Sequence, residues 1–295
     1  MRLSKYAAID IGSNAVRLLV SNVIEQKNKP TIFTKNAMVR VPIRLGQDTF
    51  GHGSIGMPNQ KRMIDAMHSF KLLMGVHGVS HYMACATSAL REAKNGKQLI
   101  KRIRKETEVS VQLIDGKREA EIIAMTDLYN VVKPHKSYLF VDVGGGSTEL
   151  TLIRQGENIA SKSFKIGTVR LLNKMVQDSE LEKYKNWIAT NTKSLSRISV
   201  VGSGGTINKV FKMTGRKIGK PLSFMLLSEQ YEYLKKRTQK ELMVDLELNP
   251  DRADIIVPAV QIYLTAMKYS GSNKIYVPKV GLADGIIKLL YKELH

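Results

Sequence analysis

Two glycine-rich turns follow apolar, strand-like segments of this sequence, and an aspartate precedes each turn by two residues. The residues are Asp10, Gly12, Ser13 and Asn14 in the first copy, and Asp142, Gly144, Gly145, Gly146 and Ser147 in the second. Glycines let phosphate oxygens approach the backbone, and successive N–H groups in such a turn form an anion-binding nest. An aspartate at the end of the strand suits Mg²⁺ or an attacking water, because hard cations prefer oxygen ligands. The pattern therefore predicts a site for a phosphorylated anion.

The repetition of this design is the strongest part of the signal. A single glycine-rich turn is weak evidence, because a tight hairpin explains it without any ligand. Two matched copies about half a chain apart indicate a duplicated domain rather than a short structural repeat. A third turn, with Gly204, Gly205 and Thr206, opens a predicted helix whose N-terminus favours anions. Since neither a Walker A motif nor a Rossmann glycine motif occurs, the phosphate site is of another kind.

The charge of the chain points in the same direction. The 295 residues include 46 Lys+Arg against 26 Asp+Glu, for a formal net charge of +20. Such a field attracts polyanions, although a Lys-rich solvated surface accounts for the same numbers. No arginine-rich arm, zinc-finger spacing or RNP-like motif supports a nucleic-acid-binding module. The chain has a single cysteine, Cys85, which we interpret as a buried hydrophobe. It also has no apolar run of membrane-spanning length. We therefore expect a cytoplasmic protein without membrane contact.

The elements that must position these turns alternate between strand and helix, which predicts an α/β fold. In the first half the pattern predicts strands over 6–11, 16–23, 31–41, 81–86 and 109–114, with helices over 58–76, 90–107 and 119–131. In the second half it predicts strands over 138–143, 148–153, 157–165, 198–201 and 274–277, with helices over 169–176, 181–195, 229–248, 251–269 and 281–290. We expect two domains, 1–125 and 126–295, with the last helix placed to pack back on the first domain.

Motifs along nearly the whole chain point to one protein family. In order they are AAIDIGSNAVRLL at 7–19, ATSALREAKNG at 86–96, GKREAEII at 116–123, VDVGGGSTEL at 141–150, GTVRL at 167–171, GSGGT at 202–206, DRADIIVPAVQI at 251–262 and LADG at 282–285. This series resembles the exopolyphosphatase/guanosine-pentaphosphate phosphatase (Ppx/GppA) family, within the superfamily of actin, sugar kinases and heat-shock proteins. The resemblance implies two ribonuclease-H-like, actin-like ATPase-type domains with an active-site cleft between them. The chain is similar to the short, two-domain members.

The resemblance also assigns roles to individual residues. Glu119 matches the catalytic base of the family, while Arg118 stands where the family has the first glutamate of a Glu-Glu pair. Arg118 either lies beside Glu119, where a cation would lower the pKa of that carboxyl, or points away into solvent. Arg91 resembles a phosphate-contacting arginine, because a guanidinium can hold two phosphate oxygens at once. Asp142, Glu149 and Asp10 are the implied ligands of Mg²⁺, and the weaker phosphate-binding candidates are Arg17, Arg44, Arg170 and Arg252.

The implied activity is a phosphohydrolase that uses Mg²⁺ and releases the terminal phosphate of a phosphoanhydride chain. The expected substrate is inorganic polyphosphate or a guanosine penta- or tetraphosphate such as pppGpp, which would connect the protein to the stringent response. A homodimer is compatible with the resemblance. Two alternatives remain open at this stage: a polyphosphate- or alarmone-binding regulator with little turnover, and a small-molecule kinase of the same superfamily. Phosphate release separates the first from a hydrolase, and ATP consumption with an acceptor would identify the second.

Overall fold

The computed structural model describes residues 1–126, 133, 135–195 and 197–295. The chain divides into two compact units. Unit 1 is formed by Met1–Thr126 together with Leu282–His295, and unit 2 by Asp127–Gly281. Among the described helices, none combines the length and apolar composition that crossing a bilayer requires.

Unit 1 is built on a five-stranded mixed sheet with the strand order β3-β2-β1-β4-β5. Its strands are β1 (Arg2–Ile11), β2 (Val16–Glu25), β3 (Ile32–Val41), β4 (His81–Ala86) and β5 (Val111–Leu113). Its helices are α1 (Leu45–His52), α2 (Met57–Val76), α3 (Ser88–Glu92), α4 (Gly96–Thr107), α5 (Gly116–Ala124) and the last helix of the chain, α13 (Leu282–Leu294). The first three strands pair antiparallel, whereas β4 and β5 run parallel to β1.

Burial explains the order of the strands in unit 1. The second half of β1, Tyr6–Ile11, is buried on both faces, as its nearly uninterrupted apolar sequence predicts for a central strand. The edge strand β3 contains only exposed and half-buried residues. Apolar side chains of α2, α4, β1, β2 and β4 form one continuous core. This core fixes the ends of β1 and β4, where the first glycine-rich turn and the ATSALREAKNG segment begin.

Unit 2 contains a sheet of six strands among the described residues, in the order β10-β11-β9-β6-β7-β8. Its strands are β6 (Ser137–Val143), β7 (Thr148–Arg154), β8 (Glu157–Phe164), β9 (Ser199–Ser203), β10 (Leu222–Ser223) and β11 (Lys274–Tyr276). Its helices are α6 (Thr168–Leu172), α7 (Asp178–Thr192), α8 (Gly205–Met213), α9 (Phe224–Lys235), α10 (Gln239–Asp245), α11 (Pro250–Ala253) and α12 (Ile256–Ser270).

The two sheets share one connectivity. In unit 2, β6, β7 and β8 pair antiparallel, and β9 and β11 continue the sheet parallel to β6. This is the pattern of β1, β2 and β3 followed by β4 and β5 in unit 1. The predicted α/β fold with two mixed-sheet units is confirmed, and each unit places its aspartate-preceded turn between its first two strands.

Several predicted helices are divided in the structure. The predicted helix 90–107 is α3 and α4, because the extended backbone of Ala93 ends α3. The predicted helix 229–248 is α9 and α10, since Thr238 begins α10 with a capping box to Glu241. The predicted helix 251–269 is α11 and α12, and 169–176 is the five-residue α6. The short α1 was not predicted, and residues 127–131 of the predicted helix 119–131 lie outside the described residues.

Helix α13 packs on α5 through a close backbone contact at Gly285. A methyl group on Gly285 would lie 2.2 Å from the carbonyl oxygen of Ile122, far inside van der Waals contact. The buried side of α13 also carries Ile286, Ile287 and Leu290. The contact matters because α5 carries Glu119, so the fit of α13 helps to hold that helix in place.

We predict that Gly285→Ala destabilises the protein by about 1–3 kcal/mol, the usual cost of overpacking a buried contact. Urea unfolding measures this change in the free energy of unfolding. Gly75→Ala is the matched control, since a methyl group there meets no atom within 4 Å and alanine favours the helix. Equal stability of the Gly285→Ala variant and the wild type would show that the contact between α13 and α5 is not tight.

Candidate functional site

Two carboxylates lie side by side where β6 ends and β7 begins. Asp142 is the register partner of Glu149, and such partners project to the same face of a sheet with Cβ atoms about 4.5–5.5 Å apart. Glu149 is only 3% exposed, and its Oε1 accepts a hydrogen bond from the Ser163 hydroxyl at 2.9 Å. On the opposite side, Asp142 pairs in register with Ser203 of β9. Four side chains with oxygen atoms are therefore register neighbours on the adjacent strands β9, β6, β7 and β8: Ser203, Asp142, Glu149 and Ser163.

This donor set fits the implied magnesium ion. Adjacent carboxylates repel each other when both are ionised, and a bound cation removes that repulsion. Carboxylate and hydroxyl oxygens are also the ligand types that Mg²⁺ prefers, usually with several waters retained. The structure thus brings together Asp142 and Glu149, two of the three residues for which the sequence implied a metal-binding role.

The turn that joins these strands is closed by one backbone hydrogen bond. The N–H of Gly144 donates to the carbonyl of Ser147 at 2.9 Å. The turn of unit 1 is closed in the same way, by the N–H of Gly12 and the carbonyl of Ala15 at 3.1 Å. The duplicated sequence pattern therefore corresponds to a duplicated turn geometry.

Helix α6 holds the turn of unit 2 from behind. The N–H of Val169 donates to the carbonyl of Gly145 at 2.9 Å, and Nε of Arg170 donates to that of Gly146 at 2.7 Å. This close approach of α6 to the turn requires glycine at position 167, because a methyl group there would lie 2.3 Å from the Gly145 carbonyl oxygen. The GTVRL segment consequently positions the glycine-rich turn, and the guanidinium of Arg170 contacts the backbone of that turn.

The third glycine-rich turn lies in the same part of unit 2. Gly204 precedes α8, and a methyl group on it would lie 3.2 Å from the Val143 carbonyl and 4.0 Å from Oδ1 of Asp142. Gly205 and Thr206 form the first turn of α8 and are half-buried. The N-terminus of α8, with its free N–H groups, therefore begins beside the carboxylate pair, which favours an anion there.

Tyr263 anchors this third turn, and the sequence did not single it out. Its hydroxyl donates a hydrogen bond to the carbonyl of Ser203. Complete burial raises the pKa of Tyr263 well above its usual value, and the charge of Asp142 adds to the effect. Tyr263 therefore stays a neutral hydrogen-bond donor. In the sequence it is one apolar position among many on α12, so no local signal distinguishes it from core.

In unit 1 the aspartate of the equivalent turn has a cationic partner. Asp10 pairs in register with Arg17 of β2, and Nη1 of Arg17 lies 2.6 Å from Oδ2 of Asp10. Arg17 in turn pairs in register with Arg40 of β3, and Asp10 pairs with Cys85 of β4. Asp10 is thus neutralised by the residue that occupies the position of Glu149 in unit 2.

The first turn is fixed by contacts within unit 1. The hydroxyl of Ser13 lies 2.9 Å from that of Ser88 at the start of α3. The carbonyl of Asn14 accepts a hydrogen bond from the backbone N–H of Arg44 at 2.9 Å. Ser13 and Asn14 are both buried. These contacts give the turn a defined shape, while the Ser13 hydroxyl already has a partner.

Glu119 lies in the first turn of α5 and is 7% exposed. The side chain of Asp115 caps this helix by accepting the N–H of Arg118 at 2.7 Å. The guanidinium of Arg118 lies 3.3 Å from Glu121 and 3.7 Å from Glu293 in two ion pairs. These partially exposed pairs favour the second of the two orientations considered for Arg118, in which it points away from Glu119.

Arg91 has a structural partner as well. Its Nη1 donates to the carbonyl of Ile114 at 2.6 Å, directly before the cap of α5. Because a guanidinium carries five N–H donors, this bond leaves others for a ligand. Arg91 therefore connects α3 to the segment that leads into Glu119. The remaining arginine candidate, Arg252, lies in the short α11 and is half-buried.

Comparison with known proteins gives one consistent family. The profile described as the Ppx/GppA phosphatase family matches residues 23–294. Exopolyphosphatase 1 of Mycobacterium tuberculosis is 24% identical over 96% of this chain and 87% of its own. A bifunctional 3-dehydroquinate synthase/phosphatase of Fusobacterium nucleatum is 26% identical over 92% of this chain, which spans only 44% of that protein.

Solved structures agree with this result. An exopolyphosphatase from Cytophaga hutchinsonii superposes with a TM-score of 0.84 at 25% identity, over 98% of both chains. An Aquifex aeolicus member of the Ppx/GppA family superposes with a TM-score of 0.77 at 22% identity, over 100% of both chains. The second likeness concerns the fold alone.

Cys85 lies beside Asp10, and we predict that it is inert in the folded protein. It is fully buried, and burial raises the pKa of its thiol to about 12, so almost no thiolate exists near neutral pH. Reaction with a chromogenic disulfide reagent at pH 8 should be at least about a thousandfold slower in the native protein than in guanidinium. A native rate close to the unfolded rate would show that this position is accessible and reactive.

Proposed function

This chain belongs to the Ppx/GppA phosphatase family, and we propose that it hydrolyses inorganic polyphosphate from the end of the chain, releasing phosphate in the presence of Mg²⁺. The observation that carries the proposal is the register pair of Asp142 and Glu149 beside a glycine-rich turn. A carboxylate pair that suits a cation, next to amides that suit an anion, is what phosphoanhydride chemistry requires. The exopolyphosphatases among the relatives support the same substrate class.

Within this proposal the two units have different tasks. Asp142 and Glu149 of unit 2 would hold Mg²⁺, which supplies positive charge to phosphate oxygens and to the leaving group. Asp10 is a weaker ligand candidate, because Arg17 already neutralises it at 2.6 Å. We assign to Asp10 the task of holding Arg17 in place as a phosphate contact. The same aspartate-preceded turn thus serves a cation in one unit and a cationic side chain in the other.

The remaining roles follow from the chemistry of each group. Glu119 accepts the proton of the attacking water as a general base, and its burial at the start of α5 keeps it in a fixed position. Backbone N–H groups of the two aspartate-preceded turns and of α8 bind phosphate oxygens, with Arg91 as an additional donor. Most of the rate acceleration then comes from positioning and charge stabilisation, as in other phosphoryl transfers.

The net charge of +20 suits a long polyanion. The same residues could remove the terminal phosphate of pppGpp, and the family description covers both types of phosphatase. The family match and the GKREAEII motif at 116–123 favour a hydrolase over a small-molecule kinase. Since Arg118 is engaged by Glu121 and Glu293, its presence is no argument for a regulator without turnover.

We predict that Glu119→Gln lowers phosphate release from polyphosphate by about 10²–10⁴-fold, the usual contribution of a general base. Binding of polyphosphate should be retained, because the amide keeps the size and hydrogen-bonding ability of the side chain. Glu121→Gln is the matched control on the same helix, since Glu121 is exposed and pairs with Arg118. Loss of turnover in Glu121→Gln with near wild-type turnover in Glu119→Gln would reverse the assignment.

The substrate is tested by measuring phosphate release from long polyphosphate, short polyphosphate and pppGpp side by side, with and without Mg²⁺. The proposal expects Mg²⁺-dependent release from polyphosphate, and release from pppGpp would extend it to the guanosine phosphates. Tight binding of all three without release would identify a regulator and refute the hydrolase. ATP consumption only in the presence of a sugar or acid would identify a kinase.

A further inference from the structure

A basic cavity lies at the edge of the unit 2 sheet opposite to Asp142. Its volume is about 890 Å³, and it is bordered by Ser137, Ser199 and Lys274, where β6, β9 and β11 begin, and by Arg154, where β7 ends. Asp142 is five residues further along β6. At a rise of about 3.3 Å per residue, roughly 17 Å separate it from the start of that strand. The cavity is therefore distinct from the carboxylate pair.

The lining of this cavity is strongly one-sided in charge. It includes His135, Lys136, Arg154, Arg197 and Lys274, and none of the described lining residues is an aspartate or glutamate. None of these five side chains forms a salt bridge within the part of the chain that the structure describes. Four of the five, Lys136, Arg154, Arg197 and Lys274, are cationic at neutral pH and repel each other in the absence of an acidic residue in the described lining, and a bound polyanion would remove that repulsion.

Volume and charge together define the ligand class. Small-molecule sites usually have volumes of about 300–1,000 Å³, so this cavity accommodates a compact ligand rather than a nucleic-acid groove. Lys136, Arg154, Arg197 and Lys274 carry four positive charges at neutral pH, which is close to the charge of a triphosphate group. We propose that this cavity binds a compact polyphosphorylated anion, either a short inorganic phosphate chain or the triphosphate of a nucleotide.

The cavity would act in binding and not in hydrolysis. Its described lining offers no carboxylate to serve as a general base or to hold a metal ion. A short phosphate chain bound here would occupy unit 2 without being cleaved. The length of the strands β6, β7 and β9 separates the cavity from the ends that carry Asp142, Glu149 and Ser203. The proposal concerns binding alone and does not depend on the proposed hydrolysis.

A purely structural role is the competing explanation. Gly271 follows the C-terminus of α12, and Ser194 lies two residues beyond that of α7, and cations stabilise the negative ends of helices. This explanation predicts that loss of the cations lowers thermal stability without any ligand. It predicts no ligand-dependent change at the cavity.

Hydrogen–deuterium exchange with tripolyphosphate, without divalent metal, tests the proposal on the whole protein. We expect slower exchange in peptides that cover 194–199 and 271–276. The variant Arg154→Gln/Arg197→Gln/Lys274→Gln should lose this protection, and the affinity of the site should fall by about tenfold or more, because charged hydrogen bonds to phosphate are among the strongest. GTP, tested in parallel, distinguishes the sources: stronger protection by GTP indicates a nucleotide, and stronger protection by tripolyphosphate indicates an inorganic chain.

The matched control is Lys217→Gln/Lys236→Gln/Lys240→Gln, which removes three exposed cations of unit 2 outside the cavity. It should keep the protection of both peptides, with affinity within about twofold of the wild type at equal ionic strength. Equal losses in the two triple variants would show that only the net charge matters, and would overturn the proposal. So would an absence of protection at 194–199 and 271–276 in the wild type at saturating tripolyphosphate.

Discussion

The register between β6 and β7 is the constraint on which the candidate site depends. It sets Asp142 directly opposite Glu149, and a slip of one residue would turn one of the two carboxylates to the other face of the sheet. The surrounding contacts maintain this register: Ser163 binds Glu149, α6 holds the glycine-rich turn, and Tyr263 fixes the backbone of Ser203. Each contact restricts where the two carboxylates can lie and so keeps them close together. A bound cation would relieve the charge repulsion between them, which favours binding.

The same strand connectivity in unit 1 produces a different electrostatic result. Asp10 occupies the position of Asp142, but its register partner is Arg17 instead of a second carboxylate. At equivalent positions, unit 2 has two neighbouring carboxylates, whereas unit 1 has a neutralised pair of Asp10 and Arg17. The two sheets share the connectivity of their first strands, and in our proposal the residue opposite the aspartate decides whether the turn attracts a metal ion or phosphate.

Local patterns predicted much of this arrangement. Apolar runs such as Tyr6–Ile11 and Tyr138–Val143 identify central strands. The glycine-rich turns that follow them are similar in sequence and are closed by the same type of backbone hydrogen bond. The pattern failed where helices are interrupted, because an extended residue such as Ala93 or a cap such as Thr238 lies within continuous amphipathic periodicity. Features assembled by tertiary contact were also missed. Tyr263 has no distinctive neighbours in sequence, and the basic cavity gathers residues 135–137, 154, 197 and 274 from four separate segments.

The central claim is that Asp142 and Glu149, and not Asp10, bind the divalent metal. A titration with Mn²⁺, in which electron paramagnetic resonance counts the free ion, tests it without reference to activity. The account predicts that Asp142→Asn weakens binding by about tenfold or more, because a direct ligand matters at least as much as the outer-shell groups. Asp10→Asn, checked for native folding by its thermal unfolding, should bind as the wild type does. Unchanged affinity in Asp142→Asn together with lost affinity in Asp10→Asn would contradict the account.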